Sequence, residues 1–136
     1  IAPGGVTDHM AAFWDLLPTI CEVVGVDAPE STDGISFTAT LFGRGQQERH
    51  QFFYWEFPAY GYQQAVRAEE WKIVRHNVNK GDTKFELYNL NIDPQEKHNL
   101  AAAQPDTVQR LSKIATNSHT RSEQFPLFAA EFTTSH

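Results

Sequence analysis

The stretch Q-Q-A-V-R-A-E-E-W-K-I-V-R, Gln63 to Arg75, decides the fold. Its halves, Gln63 to Arg67 and Trp71 to Arg75, are short runs of strand character separated only by Ala68, Glu69 and Glu70. That spacing closes an antiparallel hairpin. Side chains alternate across a strand, so Trp71, Ile73 and the aliphatic stem of Arg75 share one face while Lys72 and Val74 take the other.

Strand signals continue on both sides of the hairpin. Upstream, Gln51 to Phe57 is rich in aromatics and stops at Pro58. Downstream, a polar turn over Asn77 to Asp82 leads to a fourth run, Phe85 to Leu90. Asp93, Pro94 and Glu96 then read as a capping box with Asp in place of Ser or Thr. Pro105 opens a longer helix on which Val108, Leu111, Ile114 and Ala115 recur at helical spacing, ending near Ser118.

Toward the N-terminus the signals are helical. Asp15 reads as the cap of a helix running to Val24, with Pro18 in the first turn, where no intrahelical N–H bond is lost. Leu16, Ile20, Val23 and Val24 supply an apolar face, and Gly25 a stop. Asp33-Gly34 marks a tight turn, and Ser36 precedes a short helix ending at Gly43. The segment from Arg44 to His50 is a polar loop.

These elements predict an α+β fold: a four-stranded antiparallel sheet packed against a long C-terminal helix, preceded by a helical segment. Residues 1–43 form the opening region, 44–118 the sheet-and-helix subdomain and 119–136 a tail. The tail, with Phe125, Pro126, Leu127 and Phe128, either packs back as an arm or is tied to something outside the sequence.

Composition narrows the function classes. With 136 residues and 40% hydrophobic content, the chain has room for a compact core. Net charge is −6 and the 11 Lys and Arg residues are scattered, so no basic stripe suits a nucleic acid. No apolar run approaches the roughly 20 residues that span a bilayer, and no signal peptide opens the chain. The first residue is Ile1, so the start reads as internal to a longer protein. Cys21 is the one cysteine, which excludes an internal disulfide, and its flanks, Ile20 and Val23, suit a small buried helix residue.

Four strings, in order, resemble the C-terminal part of the sulfatase family, within the alkaline-phosphatase-like superfamily. They are D-L-L-P-T-I (Asp15 to Ile20), D-G-I-S-F (Asp33 to Phe37), A-V-R-A-E-E-W-K (Ala65 to Lys72) and L-Y-N-L-N-I-D-P-Q-E-K-H-N-L-A (Leu87 to Ala101). The resemblance covers about Ile1 to Ser118. It implies a small antiparallel-sheet domain that follows a large α/β catalytic domain, with residues 1–43 closing the large domain or linking the two. It also implies, for the full-length enzyme, hydrolysis of a sulfated small molecule or glycan by a formylglycine nucleophile beside a calcium ion. Periplasmic, secreted and lysosomal settings all fit such an enzyme.

The catalytic chemistry itself is not written in these residues. Formylglycine arises from the Cys or Ser of C/S-x-P/A-x-R, but Cys21 is followed by Val23 and Gly25 at the required positions, and no serine fits. No Asp-rich cluster offers the oxygen ligands calcium prefers. Catalytic and metal-binding residues are therefore expected outside this chain.

The remaining candidates sit in an aromatic cluster, Phe52, Phe53, Tyr54, Trp55, Phe57, Tyr60 and Tyr62. The resemblance places the W-E-F segment at the mouth of an active site, although many relatives carry His where this chain has Pro58. Trp55 offers a flat face to a sugar ring, and Glu56 and Tyr60 offer hydroxyl partners; strand alternation would instead place half of these aromatics in the core. Arg67 and Lys72 are read as pairing with Glu69 or Glu70, the dispersed histidines as solvated, and Asp93, Glu96 and Asn99 as structural. Two other classes stay open: a free-standing carbohydrate-binding or interaction module, and the C-terminal domain of a related phosphoesterase.

Overall fold

The computed structural model describes residues 1, 3–59 and 61–134 and divides into two compact units, the first over Ile1–Gln51 and the second from Phe52. In the first unit a 3-10 turn, Phe13–Asp15, runs into α1, Leu16–Val24, and a short α2 follows at Thr38–Phe42. Gly25 ends α1 in the left-handed conformation (φ 75°), which glycine adopts without a Cβ penalty.

Asp15 stands at the N-cap position of α1, but its side chain makes no cap hydrogen bond to that helix. Its side chain, only 1% exposed, accepts from the backbone N–H of Ala12 at 2.6 Å and of Ile35 at 2.9 Å, and Oδ1 lies 2.7 Å from His50 Nε2. One turn later Thr19 Oγ1 donates to the Asp15 carbonyl at 2.6 Å and accepts from the Phe37 N–H at 3.0 Å. A one-turn separation puts both side chains on the same side of the helix, where they grip alternate N–H groups of the D-G-I-S-F segment. Gly34 makes the approach close: a Cβ there would stand 2.2 Å from the Trp14 carbonyl oxygen. The apolar face read onto α1 is not a core face within this unit. Ile20, Val23 and Val24 are each more than half exposed, and the helix buries Pro18 and Thr19 instead.

The second unit holds the four-stranded antiparallel sheet, β1 Phe53–Phe57, β2 Gln63–Ala68, β3 Trp71–Arg75 and β4 Glu86–Asn89, in the order β1-β2-β3-β4. Tyr54 pairs with Val66, Val66 with Ile73 and Ile73 with Leu87, so one row of inward side chains crosses the sheet. The 14-residue α3, Pro105–Ser118, covers that face, with Leu111 and Ala115 fully buried against Val66, Ala68, Ile73 and Leu87. Burying a side chain such as Leu or Ile contributes about 1.5–3 kcal/mol, which makes this row the stabilising centre of the unit. The hairpin turn is tighter than the spacing suggested: β2 runs to Ala68, and Glu69 takes a left-handed φ of 54°.

After β4 the chain is pinned by side-chain oxygens. Asp93 Oδ2 accepts from the N–H groups of Lys97 and His98, both at 2.8 Å. Asn99 Oδ1 accepts from Leu87 at 3.1 Å and Ala101 at 2.9 Å. Glu96 does not complete a capping box. It sits at φ 55° and turns its carboxylate to Lys72 Nζ, at 2.6 and 2.8 Å. Lys72 thus pairs with Glu96 rather than with Glu69 or Glu70, because Glu96 rises beside the sheet face that Lys72 occupies; Glu69 lies 3.6 Å from Arg110 instead.

The tail packs back on its own unit. Leu127 is fully buried, Phe128 meets His119 edge-on at 4.7 Å, and Phe132 meets Tyr62 at 5.7 Å.

Candidate functional site

Strand alternation splits the sequence candidates. Trp55 and Phe57 point to the sheet face away from α3, while Tyr54 and Glu56 point toward it. Tyr60 lies outside the described residues. Trp55 and Glu56 are therefore brought to one strand but not to one surface.

On the α3 side the structure builds a polar cluster that the sequence did not announce. His119, the first residue after α3, stands between two carboxylates: Nδ1 is 2.7 Å from Glu56 Oε1 and Nε2 is 2.5 Å from Glu131 Oε1. The second oxygen of Glu131 accepts from the backbone N–H groups of Leu127 at 2.7 Å and Phe128 at 3.2 Å. Tyr54 donates its hydroxyl to Glu56. Gln64, fully buried, donates to the Tyr54 oxygen at 2.6 Å and to the Ala115 carbonyl at 3.1 Å, and accepts from Arg75 Nε at 2.8 Å. The Arg75 guanidinium lies over the rings of Phe85 and Phe128, at 4.7 and 5.1 Å.

Charge explains the order of the cluster. Burial disfavours the imidazolium of His119, but hydrogen bonds and attraction from Glu56 and Glu131 outweigh it and hold its pKa above the usual value. Burial likewise pushes Glu131 up, and the N–H groups of Leu127 and Phe128 together with His119 outweigh it and hold its pKa below its ordinary value. The Tyr54 phenol is raised strongly, first by burial and then by the carboxylate of Glu56, so it stays a donor. Two histidines read as solvated, His50 and His119, are instead structural partners of carboxylates, with side chains only 13% and 16% exposed.

On the opposite face Trp55, Phe57, Gln63, Arg67, Lys72 and Glu96 border a groove of about 310 Å³, floored by Ala65, Val74 and Leu90. The aromatics grade outward along β1: Phe53 is 3% exposed and stacked on Trp55 at 5.7 Å, whereas Phe57 is 49% exposed.

The chain's own groups do not fit a calcium–formylglycine centre. Cys21 is half-buried on α1. The buried Asp15 and Asp93 are each committed to two backbone N–H groups. Among the described residues no group of three His, Cys, Asp or Glu is placed to hold a metal.

Comparison with known proteins agrees with this architecture. Residues 1–122 match the family model described as N-sulphoglucosamine sulphohydrolase, C-terminal. A Δ4,5-hexuronate-2-O-sulfatase of Bacteroides thetaiotaomicron is 35% identical over 92 residues, covering 64% of this chain and 18% of that protein. Human arylsulfatase A is 32% identical over 84% of this chain and 27% of its own length. Among solved structures, a 2-O GAG sulfatase matches 76% of this chain and 23% of its own with a TM-score of 0.63 at 29% identity. A phosphonate monoester hydrolase of Agrobacterium radiobacter shares the fold at 22% identity, with a TM-score of 0.56 over 82% of this chain and 25% of its own. The chain thus spans about a quarter of the length of the relatives it matches.

Proposed function

Since the chain belongs to the sulfatase family and corresponds to its C-terminal portion, we propose that it serves a sulfuric ester hydrolase by shaping the wall of the substrate pocket. Nucleophile and metal chemistry would come from residues outside this sequence: a formylglycine to attack sulfur and a calcium ion to neutralise the sulfate. This chain's residues supply no bond-making group. Their part is to bind and orient, and Trp55, Glu56 and Tyr60 are the residues assigned to that work.

One observation carries the proposal: Trp55 shares a groove with Arg67, a flat aromatic beside a cation, which suits an anionic sugar. Glu56 acts differently. Its carboxylate is held by Tyr54 and His119, so it presents a fixed edge rather than a mobile arm.

The test is sulfate release from sulfated monosaccharides by a longer product of the same gene. Trp55→Ala should raise KM with little change in kcat, the signature of lost binding common to ground and transition states. Hydrolysis of phosphonate or phosphate esters without sulfate esters would assign the protein to a sister branch. Hydrolysis of none of them would leave a binding module.

A further inference from the structure

The groove on the sheet face opposite α3 has a charge balance that points to a specific kind of occupant. Lys72 is already neutralised by Glu96, whereas Arg67, on the neighbouring strand, has its Nε buried without a hydrogen-bond partner among the described residues. Leaving a buried donor of a charged group without an acceptor is costly. No salt bridge among the described residues engages Arg67, so the groove carries one unpaired positive charge in a chain whose net charge is −6. A guanidinium presents donors in a planar fork that matches two oxygens of one oxyanion. Beside it stand the half-buried Trp55 and the exposed Phe57, apolar plates suited to the C–H face of a ring, and the floor of Ala65, Val74 and Leu90 is apolar. At about 310 Å³ the groove is at the lower end of small-ligand sites, about 300–1,000 Å³, so it suits one ring rather than a chain segment.

We propose that this groove is a binding subsite for a single anionic sugar residue, with Arg67 taking a sulfate or carboxylate oxygen pair and Trp55 packing on the ring. It deepens the pocket-wall role above and rests on it for the substrate class. Arg67 is the specificity-determining residue of the subsite. The Lys72–Glu96 pair borders the site and sets its width, since bidentate contact holds both side chains in place.

The experiment is a titration of the 136-residue chain with N-acetylglucosamine 6-sulfate at low salt, followed by the indole N–H signal of Trp55 and the Nε–H signal of Arg67. N-acetylglucosamine and inorganic sulfate serve as controls for ring and anion. The expected result is saturable binding with a Kd of about 1 mM, a modest affinity for one ring, weakened by added salt. Each control should bind at least about tenfold more weakly, and Arg67→Met, which keeps the apolar stem, should lose about tenfold or more. Equal binding of inorganic sulfate would reduce the site to a bare anion contact and overturn the sugar assignment. An unchanged Kd in Arg67→Met, confirmed folded by its amide spectrum, would overturn it as well. Shifts of Trp55 with protein concentration alone would give the groove to a second copy. Because the readout is binding, failure here leaves sulfate-ester hydrolysis by the longer protein an independent question.

Discussion

Replacing His119 with Ala should loosen the tail, and the loss should depend on pH. The imidazole bridges Glu56 on β1 and Glu131 on the tail, whose side chains are 20% and 10% exposed, so solvent screens the pair only in part. Breaking a fully buried ion pair costs about 3–5 kcal/mol. Here each carboxylate keeps other donors, Tyr54 for Glu56 and two backbone N–H groups for Glu131, so about 2 kcal/mol is the reasoned loss. The other charged group nearby, Arg75, is one ring removed across Phe128 and opposes the imidazolium weakly. The folded pKa of His119 is raised above its unfolded value of 6.5. Its stabilisation is therefore complete below the unfolded pKa and is lost as pH rises through the folded pKa. Urea unfolding of wild type and His119→Ala at about pH 5.5 and about pH 9 brackets that transition. Amide exchange at Leu127 and Phe128 reports the tail directly. An equal loss at both pH values, or a larger one at the higher, would refute the imidazolium bridge.

Gly34→Ala should destabilise the first unit by more than about 2 kcal/mol, since its Cβ would meet a backbone carbonyl at 2.2 Å; thermal unfolding checks it. Asn99→Ala should cost about 1 kcal/mol by removing the acceptor shared by the N–H groups of Leu87 and Ala101, and their amide exchange should accelerate together. Ile20→Glu with Val23→Lys should reduce self-association in sedimentation velocity, because both side chains lie on the exposed apolar face of α1; a chain monomeric at all concentrations before mutation would contradict that role for the face.

The sheet was legible because its signals are local. Alternation over Gln63 to Arg75 and the helical repeat at Val108, Leu111 and Ala115 each report a burial pattern within one element. What escaped was set by chain-distant partners. Asp15 carries a cap-like sequence context, but its oxygens are taken by Ile35, twenty residues on, and by His50. Lys72 had Glu69 and Glu70 close in sequence, yet the left-handed turn at Glu96 delivers a nearer carboxylate. The His119 cluster draws on β1, the end of α3 and the tail, and no spacing rule links residues 56, 119 and 131. The same limit explains the candidate site: the W-E-F string marked the right strand, and only its register assigns Trp55 to the groove and Glu56 to the cluster.

The two units carry carboxylate–histidine ties that share an acid limb and differ in that the second adds an alkaline one, and this fixes where each should weaken. In the first, burial pushes Asp15 up, but the N–H groups of Ala12 and Ile35 and the His50 ring outweigh it and bring its pKa below 3.8. A depressed carboxylate stabilises above its unfolded pKa and loses that contribution as pH falls through the folded one. In the second, Glu131 weakens by the same sign in acid, while His119 weakens as pH rises. The ionic tie of the tail is thus complete only between protonation of Glu131 and deprotonation of His119, with the packing of Leu127 and Phe132 independent of both, whereas the Asp15 carboxylate loses its contribution in acid. Asp15→Asn should flatten the acid limb of stability for the first unit, read from the Ile35 and Phe37 amides, and leave the alkaline loosening of Leu127 and Phe128 unchanged. If Asp15→Asn moved both limbs, the two ties would not be the separate switches that their distinct partners imply.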